Sequence, residues 1–124
     1  MNKDLYITYL YNYIKYNDKN LIPDYVTHLT FGNDFNQPLK EGMIPNSVTH
    51  LTFGKDFDQP LKEGDIPNMV THLTFNKFNY FNQPLKKGII PNRVTHLTFG
   101  YQFNQPLKYG DIPNSVTHLT LGKY

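Results

Sequence analysis

Five histidines, His28, His50, His72, His96 and His118, recur at an almost constant interval, with one slightly longer step between His72 and His96. Each sits in a Val-Thr-His-Leu-Thr block, and Thr30, Thr52, Thr74 and Thr98 follow the first four histidines, each two places on. Imidazole is the commonest metal ligand and titrates near neutral pH. A hydroxyl beside an imidazole is also half of a nucleophile–base pair, which needs an acid to orient the base. No acidic residue occurs in any of the five blocks. The same residues in every unit also define no unique active site, so no catalytic residue is assigned. Zinc takes about four tetrahedral ligands, and a linear column offers two per ion. No metal site and no cofactor is assigned. The His and Thr columns are therefore read as a partner-binding face or as an exposed ladder, with metal or anion binding as a remote alternative.

What must position these residues is a repeat. Val26 to Phe31 recurs as Val48 to Phe53, Val70 to Phe75, Val94 to Phe99 and Val116 to Leu121. A second block, Phe35-Asn-Gln-Pro-Leu-Lys40, recurs in phase from Phe57, Phe81 and Phe103, and Ile-Pro pairs recur at Ile22, Ile44, Ile66, Ile90 and Ile112. Three phased blocks predict a solenoid. From His28 onward the pattern alternates polar and apolar, the period of a half-buried strand. Leu29 and Phe31 then face inward, and His28 and Thr30 outward. Gly32 and its counterparts Gly54, Asn76, Gly100 and Gly122 are expected at positive φ, because Asn best replaces Gly there. Gly42 turns the chain, and Pro45-Asn46 makes the corner into the next strand. Stacked coils bury the Val, Leu, Phe and Ile columns that one coil cannot bury alone. The fold class is mostly β: one parallel sheet of short strands with extended return segments. The expected organisation is a cap over residues 1–21 and a solenoid over 22–124, with four full coils and a partial fifth.

The unit Ile-Pro-Asn-Ser-Val-Thr-His-Leu-Thr-Phe-Gly-x-x-Phe-Asn-Gln-Pro-Leu-Lys resembles the FNIP repeat, a short-repeat member of the leucine-rich-repeat class found in social amoebae and large DNA viruses. The resemblance covers residues 22 to 124. It implies a right-handed solenoid used for protein–protein contact, without catalytic residues. It also implies a host-cytoplasmic location if the chain is viral. Family members often carry a helical F-box ahead of the repeats, and the segment before Ile22 is too short for one. The resemblance further suggests that Asn36, Asp58, Asn82 and Asn104 form an internal asparagine ladder. In that reading Asp58, which lacks a donor when ionised, is a defect or is protonated.

Three local features stand apart from the uniform coils. An insertion falls between Phe75 and Phe81. It places Lys77, Phe78, Asn79 and Tyr80 in a protruding loop, where aromatics could anchor a partner or Phe78 could fold back onto the coil. In the N-terminal segment, Leu5, Tyr6, Tyr9, Leu10, Tyr13 and Ile14 form a stripe that predicts a helix, stopped by Asp18-Lys19-Asn20. The alternative is a decayed first coil, since Ile7-Thr8-Tyr9 lies one repeat length before Leu29-Thr30-Phe31. At the other end Val116, Leu119 and Leu121 face the core with no further coil, and Thr120 lies on an open strand edge. A homodimer through this end is expected, unless Tyr109 and Tyr124 fold over it.

Composition bounds the partners. The 124 residues include no Cys, so disulfides and thiolate chemistry are excluded. With 12 basic and 10 acidic side chains, the charge of +2 is too balanced to imply nucleic acid or anionic lipid. Mean hydropathy is −0.54, and no apolar run approaches the ~20 residues of a membrane span. Met1 to Tyr16 has charges at Lys3, Asp4 and Lys15 and no continuous apolar stretch, so no export signal is read and an intracellular setting is expected. The expected function is a non-catalytic scaffold binding a protein through its outer sheet face or its C-terminal end, with self-assembly as the alternative.

Overall fold

The alternation in each His-Leu-Thr-Phe run makes a strand with one buried and one open face. The computed structural model describes residues 22–122 together with Leu10–Tyr11. Its strands are β1 (Leu10–Tyr11), β2 (His28–Phe31), β3 (His50–Phe53), β4 (His72–Phe75), β5 (His96–Thr98) and β6 (His118–Thr120). They form one sheet in chain order, parallel throughout. From β2 onward the register puts like on like: His28 pairs His50, Leu29 pairs Leu51 and Thr30 pairs Thr52. The same pairing carries through to His96 with His118. The result is a leucine-rich-repeat-like solenoid of about four turns, with no helix among the described residues.

The core is a set of parallel columns. Val26, Leu29, Phe31, Phe35, Leu39 and Ile44 are buried, as are their copies through most of the stack. Phe31, Phe53, Phe75 and Phe99 stack with centroids 5.3–5.5 Å apart. Phe35, Phe57, Phe81 and Phe103 form a second column at 6.0–6.2 Å. The two columns meet at 4.0–4.4 Å within each coil. Burying a Phe, Leu or Val contributes roughly 1.5–3 kcal/mol each, and stacking removes both faces of every ring from water.

The turns that close each coil follow from their residues. The valine N–H donates to the carbonyl of the corner proline in every coil, for instance Val48 to Pro45 at 3.2 Å. Gly42, Gly64, Gly88 and Gly110 adopt φ between +84° and +93°, which L side chains rarely adopt. The row of Gly32, Gly54, Gly100 and Gly122 is a different case and corrects the sequence expectation. None of these has positive φ, and neither does Asn76. Space imposes glycine there: a Cβ on Gly54 would lie 2.7 Å from the Gly32 carbonyl oxygen. Asn76 opens the same turn, its carbonyl accepting the Asn79 N–H at 2.8 Å, and its side chain is exposed. Gly54→Ala should therefore cost about 1–3 kcal/mol through overpacking, read as a lower denaturation midpoint. An unchanged midpoint would show that neighbouring coils separate freely.

The N-terminal expectation also changes. Leu10 and Tyr11 are extended and pair in parallel with Thr30 and Phe31, so the helical stripe fails at these two residues. Leu10, rather than Thr8, stands opposite Thr30, so this strand adds to the sheet beside β2 as a coil strand does, but out of phase with the repeat. The rest of that stripe, and Ile7-Thr8-Tyr9, lie outside the described residues.

Candidate binding surface

The outer face of the sheet carries the histidines and threonines, because the alternation that buries Leu and Phe turns them out. The five imidazoles form one continuous stack. Successive centroids are 4.1–4.2 Å apart with planes within 5–13° of parallel. Each ring Nδ1 lies 2.8–2.9 Å from the hydroxyl of the preceding threonine. The Thr27 carbonyl already accepts two backbone N–H groups, from Thr49 at 2.8 Å and His50 at 3.1 Å. The Thr49 hydroxyl is 3.3 Å from that same oxygen and 2.9 Å from His50 Nδ1. The hydroxyl donates its one proton to that carbonyl, so its oxygen is free to accept Nδ1–H from the neutral ring, and we assign the ring proton to Nδ1 on that network. The same geometry recurs at His72, His96 and His118.

Neutral rings are what this packing favours. Burial first, then the rings of His28, His72 and His96, hold the His50 pKa down at about 4. Burial, followed by His96, His28 and His118, lowers His72 in the same way. The stack is also a poor chelate. An ion bound to imidazole lies in the ring plane, and near-parallel planes send their lone pairs out side by side. Among the described residues no three His, Asp or Glu converge on a point.

The asparagine ladder exists, but on the surface. Asn36, Asn82 and Asn104 are exposed and Asp58 is half-buried. Asn36 Oδ1 accepts the Asp58 N–H at 2.9 Å, Asp58 Oδ1 accepts the Asn82 N–H at 2.9 Å, and Asn82 Oδ1 accepts the Asn104 N–H at 2.8 Å. The same three oxygens accept Nε2–H from Gln59, Gln83 and Gln105 at 2.9–3.0 Å. The position needs an acceptor alone, so Asp58 is a full member of the ladder rather than a defect. Asp58→Asn should change stability by less than about 0.5 kcal/mol, whereas Asn82→Ala should cost about 1 kcal/mol. Matched denaturation curves for the two variants would contradict this account.

The amide buried as a ladder residue should be is Asn79, in the insertion. It is fully buried, and its Nδ2 donates to the carbonyls of Gly54 and of Phe57, the latter at 3.2 Å. Its Oδ1 accepts the Phe81 N–H at 2.7 Å. Phe78 does not fold back onto the coil. It is 63 % exposed and meets Tyr101 edge-on at 5.6 Å.

These columns, ladders and turns can be set beside known proteins. The FNIP repeat profile matches residues 16–56, 57–80 and 81–124. The chain belongs to the FNIP repeat family. Among solved structures, the crystal structure of CroV588, a circular LRR protein, overlays on 90 % of this chain with a TM-score of 0.66 and 39 % identity. The chain spans 19 % of that protein's length. No curated protein matches it.

The FNIP coils also use residues that their pattern alone did not single out. Asp65 and Asp111 are buried, and their carboxylates accept the N–H of Lys62 at 2.8 Å and of Lys108 at 2.7 Å. Met43 and Ile89 take that place in the other coils, so no repeat signal marks the acids. Asn79 has no counterpart in any coil and left no periodic trace either. At the far end of the FNIP stack, Leu119 and Leu121 are 45 % and 53 % exposed, and Thr120 is exposed with them. Val116 is half-buried against the core. Tyr109 is 99 % exposed and does not cover this end, and Tyr124 lies outside the described residues. A groove along the return corner is lined by Glu63, Lys87 and Ser115. The Ser115 hydroxyl there is spent on the Val94 carbonyl at 2.8 Å.

Proposed function

We propose that this FNIP array is a non-catalytic intracellular scaffold that binds a protein through the outer face of its sheet and the adjoining turns. The observation that carries the reading is the division of labour along each strand. Inward residues and turn amides are consumed in holding coil to coil, and His and Thr form one continuous open face. That face offers imidazole ring nitrogens and threonine hydroxyls in register, which suits the polar atoms of an extended partner segment. Site-specific photo-crosslinking in cells tests it. Benzoylphenylalanine at Thr52 or Thr74 should give a discrete adduct, and the same label at Arg93 on the return corner should not. Adducts at Arg93 alone, or at none of the three, would count against the scaffold reading.

The exposure of Leu119 and Leu121 supports a second surface at β6. A coil of any origin fits there, and a second copy of the chain is the occupant we propose. Light scattering at high concentration should give a dimer mass that Leu119→Lys reduces to monomer. A monomer mass for the unaltered protein removes this second reading.

A further inference from the structure

The sheet face is uniform from coil to coil, so it cannot by itself tell one partner sequence from another. The turn edge following the strands is not uniform. Coils one, two and four read Gly-Asn-Asp-Phe, Gly-Lys-Asp-Phe and Gly-Tyr-Gln-Phe, and the third reads Asn-Lys-Phe-Asn-Tyr-Phe. The insertion leaves Phe81 in its column, 1 % exposed and stacked on Phe57 and Phe103. It brings out Phe78 and Tyr80, 63 % and 45 % exposed.

This loop is held from both sides. Asn79 fastens it to the second coil through Gly54 and Phe57. Tyr80 N–H donates to the Lys55 carbonyl at 2.9 Å, and Tyr101 N–H of the fourth coil donates to the Lys77 carbonyl at 2.9 Å. Exposed aromatics on a loop already fixed by folding lose little freedom on binding, which is the condition for an interface anchor. The charged groups set against these rings are lysines. Lys77 Nζ lies 5.7 Å from the Phe78 ring centroid and 5.6 Å from that of Tyr101. Lys55 Nζ lies 5.7 Å from the Tyr80 ring centroid. Asp56, beside Lys55, is the acid of the neighbouring turn, and the fourth turn has none.

We infer that Phe78, Tyr80 and Tyr101, flanked by Lys55 and Lys77, form the selective contact of the scaffold, taking a protein segment with a large apolar side chain next to carboxylates. The inference rests on the scaffold reading and names the partner chemistry. Aromatics with lysines also suit single-stranded nucleic acid. A nucleic-acid strand running along the coils would next meet Asp56 and Asp34 on the same edge, and a protein segment can end before them.

Selection of randomised short peptides on the intact chain tests this. Enriched peptides should carry Asp or Glu beside Leu, Phe or Trp. A synthetic winner should bind at least about tenfold more weakly to Phe78→Ala. Its binding should also weaken with added salt and with Lys77→Ala. Phe78 is exposed, so the variant keeps its core, and an unchanged melting curve verifies this. The inference is overturned by no enrichment, by winners without acidic residues, or by oligothymidylate bound more tightly than any winner. Winners lost on Thr74→Glu but not on Phe78→Ala also overturn it, while leaving the scaffold reading in place. Loss of crosslinks at Thr52 and Thr74 with peptide binding intact has the opposite meaning.

Discussion

Phe57→Ala is expected to destabilise the protein by about 3–5 kcal/mol, the range for emptying a buried aromatic site. Phe57 is fully buried. It stacks on Phe53 at 4.2 Å in its own coil, and on Phe35 at 6.0 Å and Phe81 at 6.2 Å in the coils on either side. The parallel ladder fixes the spacing between coils, so the neighbours cannot close over the hole. A chain of this size has roughly 5–15 kcal/mol in hand, and the loss is a large share of it. Thr52→Ala, on the open face of the adjoining strand, should cost well under that. Urea denaturation followed by far-ultraviolet circular dichroism compares the two. Equal shifts in midpoint would mean that the inward and outward faces have been misassigned.

The second large effect is expected on acidification. The folded pKa of His50 is lowered from 6.5 to about 4, and His72 is lowered too. Between those limits the unfolded chain binds more protons than the folded one. Stability is then fully present above pH 6.5 and falls as pH drops from there towards 4. Both rings are half-buried, and water at their open edges holds the loss below the ~1.4 kcal/mol per unit that a fully sheltered group would show. The melting temperature should fall steadily from neutral pH down to about pH 5, before most carboxylates titrate. His50→Gln should flatten that dependence. His50 and His72 titrating by NMR at the ordinary imidazole value would overturn the argument.

How much of this is legible in the sequence depends on whether a residue repeats. The Leu29 and Phe31 columns are readable because period-two alternation and the constant repeat length select one arrangement. The outward placement of His28 and Thr30 follows from the same alternation. Position 36 is legible as a ladder, but its burial is not. Its side chain sits next to Phe35, and alternation there gives no sign of which side of the return segment faces water. Gly32 misleads because positive φ and close approach both select glycine, and Asn76 points to the wrong one. Asn79, Asp65 and Asp111 are set by single hydrogen-bonding needs of single turns, which no periodic pattern reports.

The insertion at 76–80 also bears on how the chain finds its own order. An array of like coils is degenerate under translation. A strand displaced by one whole unit, or borrowed from a second copy, meets the same Leu, Phe, His and Thr partners and loses little. The β2–β3 and β3–β4 pairings match the same His, Leu and Thr partners. The third turn lifts that degeneracy. Phe78, Tyr80 and Tyr101 have no like residue at their position in another coil, and a shift by one coil takes Tyr80 off Lys55 and Phe78 off Tyr101. The lengthened turn thus acts as an index mark, giving each interchangeable coil a fixed address in the stack.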